Sequence, residues 1–217
     1  MAWSLTIFSS IALEGLWLHK ISEGFLMRRW GKKRRVMRHY DASALVYDGR
    51  YSSVQGAKIK AALKNLDLKE FDYVLDAGCG TGLLFDYIID RALSVVGIDV
   101  SRKSLLQAKA RTRDLVKTHL VWADVDNMPL KSGVLDAVFA FTLLQNMPNP
   151  AETLSEIVRV ARDDAVIVVT GLKKVLGLKY FRSLLSCAGL GIIAIEGDGL
   201  ECYVAVCRKA HARRVPH

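Results

Sequence analysis

Metal-binding and disulfide patterns are missing from this 217-residue chain. Cys79, Cys187, Cys202 and Cys207 form no Cys-x-x-Cys pair, and His19, His39, His119, His211 and His217 show no metal-ligand spacing. A zinc site and a disulfide framework are therefore not expected, and sparse free thiols suit a reducing, cytoplasmic compartment. Internal repeats, low-complexity tracts and a second domain are also absent. The length suits one well-buried domain, and 51% hydrophobic with 24% charged residues describes a globular chain. A clean membrane span is lacking as well. Residues 1–18 are apolar apart from hydroxyls, Gly15 and Glu14. Spanning needs about 20 apolar residues, and a central acid costs about 2.5–3.5 kcal/mol. No basic residue precedes the run and no small-x-small cleavage site follows it, so a secretory signal does not fit.

What is present is unevenly charged. Residues 1–38 carry a net +6 and residues 208–217 a net +4, which leaves −1 for residues 39–207 out of a total of +9. The chain is a nearly neutral core with two cationic ends, and such ends favour anionic surfaces such as lipid headgroups or RNA. Residues 1–36 read as an apolar and basic extension that includes Lys32-Lys33-Arg34-Arg35, and residues 209–217 as a basic tail. Trp3, Trp17 and Trp30 suit headgroup depth, so membrane contact through residues 1–30 is one reading. The others are a helix packed on the domain itself, a partner-binding helix, or a start codon upstream of Met27 or Met37. At a membrane, the basic flank would keep the core in the cytoplasm.

From Lys58 onward short apolar runs alternate with amphipathic segments, the pattern of a βαβ architecture with a mainly parallel sheet. Strands are expected at Phe71–Ala77, Ser94–Asp99, Thr118–Ala123, Leu135–Phe141, Ala165–Thr170, Gly191–Glu196 and Glu201–Arg208. Helices are expected at Lys58–Leu66, Leu83–Arg91, Lys103–Lys117 with Ser101 as its cap, Ala151–Ala161 behind Pro150, and Tyr180–Ala188. The last two strands are joined by a short turn containing Gly-Asp-Gly. A connection that tight makes an antiparallel hairpin, because a parallel return needs a crossover of a dozen residues or more.

The densest signal is Val74-Leu75-Asp76-Ala77-Gly78-Cys79-Gly80-Thr81-Gly82. An apolar run ends in an acid, and alternating glycines follow where a backbone must turn sharply against a ligand. The segment resembles motif I of the class I S-adenosylmethionine-dependent methyltransferases, and residues 37–208 resemble their domain in segment order. The resemblance implies a Rossmann-like, doubly wound seven-stranded sheet with strand seven antiparallel, here behind an N-terminal helical extension. It implies S-adenosylmethionine as cofactor. Gly78, Gly80 and Gly82 would admit the amino acid and ribose portion, with Asp76 meeting the methionine ammonium. Asp99 would take the ribose hydroxyls and Val100 the adenine face. Asp124 and Val125 would belong to the adenine-binding stretch, with Asp124 accepting from the exocyclic amine, and Phe141 and Thr142 would stand beside the methyl donor. Cys79 reads as a small packing residue.

The acceptor side is less explicit. Phe141-Thr142-Leu143-Leu144-Gln145-Asn146-Met147-Pro148 lacks the Asn/Asp-Pro-Pro-Tyr/Phe signature of amide and base-amino methyltransferases. It resembles the small-molecule and wobble-tRNA branches, in which a histidine is common where Asn146 stands. A neutral amide is no general base near pH 7. Tyr47, in the Tyr40-Asp41 and Tyr47-Asp48-x-x-Tyr51 cluster, shields the donor, lines the acceptor pocket or simply packs. Tyr47 and Asn146 are the catalytic candidates. Lys173, Lys174 and Lys179 lie near the expected carboxyl edge, where they attract an anionic acceptor or remain solvated. The functional expectation is methyl transfer to a small molecule, with RNA or protein as other acceptors and an activator subunit as a partner. The alternatives are an inactive cofactor-binding or membrane-tethered regulator and a dinucleotide-dependent oxidoreductase. Gly-x-Gly-x-Gly in place of Gly-x-Gly-x-x-Gly argues against the last.

Overall fold

The computed structural model describes residues 27–66, 71–113 and 115–209. The membrane-contact expectation for residues 1–26 and nearly all of the basic tail lie outside the described residues. Two helices, α1 (residues 27–43) and α2 (Tyr47–Lys64), lead into an alternating series. It runs β1 (Phe71–Ala77), α3 (Phe85–Ile88), β2 (Ala92–Asp99), α4 (Arg102–Arg111), β3 (Thr118–Trp122) and β4 (Leu135–Ala140). It continues with α5 (Pro150–Val160), β5 (Ala161–Leu172), α6 (Leu178–Cys187), β6 (Leu190–Glu196) and β7 (Cys202–Lys209). No described helix is long and apolar enough to cross a membrane.

The seven strands order as β3-β2-β1-β4-β5-β7-β6. Strands β1 to β5 pair in parallel, and β7 runs antiparallel to both β5 and β6. The Gly-Asp-Gly turn thus closes the sheet as a hairpin, as its length requires. Both faces are covered, which is why the strands read as nearly unbroken apolar runs. Leu75, Val138 and Ile167 point to a core shared with Leu154, Ile157 and Phe181. Their neighbours Val74, Phe139 and Val168 point to the opposite core with Ile59, Ala62 and Phe85.

The helices depart from expectation for local reasons. Helix α2 begins at Tyr47 instead of Lys58, because its buried face contains Gln55, Gly56 and Lys58 and so carries no apolar period. Helix α4 is capped by Ser101, whose hydroxyl accepts from Ser104 N, but it ends at Arg111. There the Thr112 hydroxyl bonds the Ala108 carbonyl at 2.9 Å, a local contact that competes with continued helix. The expected helix Leu83–Arg91 reduces to the single turn α3 and a 3-10 turn, Ile89–Arg91. Helix α5 starts at Pro150 with the Asn149 side chain accepting from Ala151 N.

Candidate active site

A cleft of about 1010 Å³, counted out to its open mouth, lies at the carboxyl ends of β1, β2 and β4 under α1 and α2. The strand order runs outward in both directions from the β1–β4 pair, so the cleft occupies the crevice at the switch point of the sheet. The turn after β1 is tied to β2, since Gly78 N and Cys79 N both donate to Ile98 O, at 2.8 and 3.0 Å. Gly78 and Gly80 take φ of 77° and 53°, the left-handed region that glycine tolerates. A Cβ on Gly80 would meet nothing within 4 Å, so that position opens on free space. Gly82 differs, because a Cβ there would strike Phe85 at 2.9 Å. Gly78 and Gly80 line the cleft, while Gly82 packs against the core side of the turn.

Two acids stand beside this turn. Asp99 accepts from Gly80 N at 2.8 Å and from Ser101 N at 2.7 Å, which couples the glycine turn to the end of β2. Burial raises its pKa, and those backbone donors partly oppose the rise. Asp76 is only 3% exposed, and no described residue hydrogen-bonds or ion-pairs with its carboxylate. Burial, followed by the charge of Asp99, pushes its pKa up to about 8. Cys79 is buried between them, and burial with these two charges keeps its thiol neutral, in keeping with a packing role.

The wall opposite the turn comes from α1 and α2, each contributing one Tyr-Asp pair. Tyr40 and Tyr47 line the cleft. Asp41 accepts from Ser101 Oγ at 2.7 Å and Lys103 N at 3.1 Å, fastening α1 to the start of α4. Asp48 accepts from Thr81 Oγ1 at 2.6 Å and pairs with Arg111, fastening α2 to the glycine turn. Helix α1 is continuous through residues 36 and 37, and its first turns are also docked. Arg29 pairs with Glu152, and Lys32 Nζ donates to Met147 O at 2.5 Å. Lys33 Nζ sits 2.5 Å from both Asp124 Oδ2 and Asp126 Oδ2.

Lys33 is therefore the counter-charge of two adjacent carboxylates, with its side chain 11% exposed and that of Asp126 4%. Removing Lys33 leaves the two carboxylates facing each other with only Arg29, 4.0 Å from Asp126 Oδ2, to offset them among the described residues. Lys33→Met should speed amide hydrogen exchange across residues 29–36 by about tenfold or more, as local opening of α1 becomes cheaper. Lys33→Arg should restore protection, and unchanged exchange in the methionine variant would refute the role.

At the end of β4, Thr142 adopts φ 56°, which is strained for a β-branched residue. Four contacts hold it there. Its N–H donates to Thr170 Oγ1 at 2.7 Å and its carbonyl accepts from Asn146 Nδ2 at 2.8 Å. Its hydroxyl donates to Gln55 Oε1 at 3.2 Å and accepts from Lys58 Nζ at 3.0 Å. Asn146 Nδ2 also donates to Tyr40 OH at 3.0 Å, so this residue braces the wall.

Of the residues singled out from sequence, Asp76, Gly78, Gly80, Asp99, Val100, Asp124, Val125 and Phe141 share the cleft wall with Tyr47 and Asn146; Gly82 does not. Lys173 lies elsewhere, donating to Gly197 O at 2.7 Å. Sequence reading overlooked Lys33 and Gln55 as residues of the cleft, and Lys58, which bonds Thr142 there. No local motif marks them, although a polar interruption of the apolar face of α2 was visible at Gln55 and Lys58.

Comparison with known proteins agrees with this geometry. Residues 75–169 match the model of a family described as methyltransferase domain. Over 144 residues the chain is 29% identical to malonyl-[acyl-carrier protein] O-methyltransferase of Marinomonas sp., covering 65% of this chain and 53% of that protein. The chain spans about half the length of the curated relatives it matches. A crystal structure of a SAM-dependent methyltransferase from Aquifex aeolicus superposes with TM-score 0.68 at 20% identity, covering 78% of this chain and 98% of that one. Magnesium protoporphyrin IX methyltransferase from Synechocystis PCC 6803, solved with bound SAM, superposes with TM-score 0.67 at 17% identity, covering 82% and 97%. Residues 75–169 thus match a methyltransferase domain, and the fold is the one seen in S-adenosylmethionine-dependent methyltransferases.

Proposed function

We propose that the protein transfers the methyl group of S-adenosylmethionine to a small molecule bound between Tyr40, Tyr47 and the end of β4. The observation that carries this reading is Asp76, a buried carboxylate with no protein partner and a pKa near 8. A buried acid in that state is relieved by a cationic ligand, and the amino-acid ammonium of the cofactor supplies one. Gly80 leaves its backbone uncovered for the same portion, and Gly78 lines the cleft beside it. Asp99 retains lone pairs for the ribose hydroxyls, and Val100 and Val125 offer apolar surface to the adenine. Asp124 would meet the exocyclic amine beside its pairing with Lys33, and Phe141 and Thr142 flank the reacting end. When bound, the cofactor supplies a methyl group already activated by positive sulfur. The chain's own work is to hold that end still, keep water out and align the acceptor.

The small-molecule assignment is supported by relatives named for such acceptors, including malonyl-[acyl-carrier protein] and demethylmenaquinone. The reversed β7 runs against the dinucleotide-dependent alternative, whose sheet would continue parallel. The exposed side chains of Met27 and Trp30 favour a second, compatible reading in which the start of α1 rests on a lipid surface.

The test is transfer of labelled methyl groups from the cofactor into cell extract sorted into metabolite, lipid, RNA and protein pools. Label in the metabolite or lipid pool supports the proposal. Label confined to RNA, or to protein in a form that mild hydroxylamine does not release as a thioester-linked acyl group, redirects the acceptor. Adenosylhomocysteine binding without any transfer, with an activator subunit also supplied, would leave only a regulator.

A further inference from the structure

Helices α1 and α2 present different chemistry inward and outward. Lys33, Val36 and Tyr40 of α1 line the cleft. Met27, Trp30, Arg34 and Arg38 recur every three or four residues, so they form a stripe on the other side of that helix, and all four are exposed. The turn that follows is Ala44-Leu45-Val46, where turns ordinarily carry glycine, asparagine, aspartate or serine. Leu45, at its centre, is 84% exposed, and Val46 is exposed beside it. Helix α2 continues this surface with Arg50, Tyr51 and Val54, all exposed. Six of the fifteen large apolar side chains exposed among the described residues thus fall between residues 27 and 54. Such clustering on one cover of a cleft is the mark of a surface that meets something.

The charge on this surface has one sign. Residues 27–60 hold two acids, Asp41 and Asp48. Both are turned inward, Asp41 to Ser101 and Lys103, Asp48 to Thr81 and Arg111. Arg34, Arg35, Arg38 and Arg50 are exposed, and none forms an ion pair with an acid among the described residues. Unpaired arginines and bare aliphatic side chains that face out together suit a partner able to take both. The phosphates of RNA would answer the arginines, but they give nothing to Met27, Leu45, Val46 and Val54. A bilayer interface answers each class. Anionic headgroups hold the guanidinium groups, the aliphatic side chains enter the acyl boundary, and Trp30 stands at headgroup depth.

We infer that the outer side of α1, the turn at residues 44–46 and the first half of α2 together dock the protein on an anionic lipid bilayer. This rests on, and extends, the reading in which the start of α1 meets a lipid surface, and it gives one helix pair two duties. Its inner side is the Tyr40 and Tyr47 wall of the cleft, and its outer side is the membrane seat. Leu45 and Val46 are the apolar anchor, and Arg34, Arg35, Arg38 and Arg50 supply the attraction. The two contributions respond differently to salt, because headgroup attraction is screened within a Debye length and apolar burial is not.

The test uses the full chain with vesicles of phosphatidylcholine, alone or with phosphatidylglycerol added, and reads the bound fraction by sedimentation across a salt series. The wild type should bind the anionic vesicles about tenfold or more tightly than the neutral ones. Combining Arg34→Glu, Arg35→Glu and Arg38→Glu should weaken binding to anionic vesicles about tenfold or more and flatten its salt dependence. Leu45→Ser with Val46→Ser should weaken it to a similar degree, about tenfold, and leave the salt dependence as steep. Val116→Ser, which removes an exposed apolar side chain elsewhere, should change nothing. Melting temperature should stay within error throughout, so that lost binding reports the surface and not the fold. Vesicle binding unchanged in both the arginine and the Leu45 and Val46 variants would put any lipid contact outside this face and overturn the inference. Loss confined to Trp30→Ser would restrict the contact to the start of α1, overturning the extension and keeping the narrower reading. Binding of an RNA oligonucleotide in place of vesicles, lost in the arginine variant and kept in the other, would make the face an RNA surface and overturn the lipid assignment. Failure to bind adenosylhomocysteine would strike the methyltransferase reading and leave the docking surface standing.

Discussion

Asp76→Asn should yield a folded protein whose affinity for adenosylhomocysteine falls by about 30-fold or more. The carboxyl of Asp76 has its pKa near 8, so at neutral pH the ligand-free protein holds it largely protonated. Asparagine copies that neutral shape, and stability at pH 7 should hardly change. Binding is different, because the ligand's ammonium draws the proton off and the resulting ion pair is lost in the variant. Truncating one partner of a buried charged pair costs about 2–5 kcal/mol, roughly 30-fold to several thousandfold in affinity.

The same acid fixes the pH dependence. Its folded pKa is raised from 3.8 to about 8, so across that interval the native state binds more protons than the unfolded chain. This group's contribution to ligand-free stability is full below the unfolded pKa and falls as pH rises towards about 8. Affinity for adenosylhomocysteine moves the other way, rising with pH and levelling above about 8. Calorimetry at pH 7 in buffers of different ionisation enthalpy should record close to one proton released by the wild type and none by the variant. Full affinity in Asp76→Asn, or no proton release in the wild type, would remove the central contact.

Gly80→Val should separate ligand binding from folding. Residue 80 has φ 53°, and a β-branched side chain in that region costs on the order of 1–2 kcal/mol. Its Cβ has no neighbour within 4 Å, so nothing in the core need move. The branched group would instead stand in the space proposed for the cofactor. A modest fall in melting temperature should accompany complete loss of adenosylhomocysteine binding. Gly82→Val is the contrast, because its Cβ would press on Phe85 at 2.9 Å and Ala108 at 3.3 Å. That variant should lose far more stability, with binding lost only as the fold is lost. Equal destabilisation of the two would refute the division of labour among these glycines.

The parts of this arrangement that are local in sequence were legible there. Strand β1 occupies Phe71–Ala77 as its apolar run indicates, and the acid-and-glycine turn follows directly. The reversed last strand follows from a turn too short to cross the sheet. Other parts depend on partners far apart in the chain. Lys33 and Asp124 are 91 residues apart, and no periodicity links them. The beginning of α2 is hidden because its inner face is polar, with Gln55 and Lys58 bonded to the distant Thr142. Hydropathy records where water is excluded by apolar surface, and it misses a wall assembled from buried donors. The strained φ of Thr142 is likewise set by contacts from three separate elements, not by its immediate neighbours.

The paired Tyr-Asp segments of α1 and α2 carry a consequence for the order of events. The aspartates grip the loops that follow β1 and β2, and the tyrosines one residue earlier line the cleft. Whatever settles those loops also sets the phenols in register. Under the proposed function, a donor that settles those loops would go in first, and the second reactant would meet a surface the first had finished building.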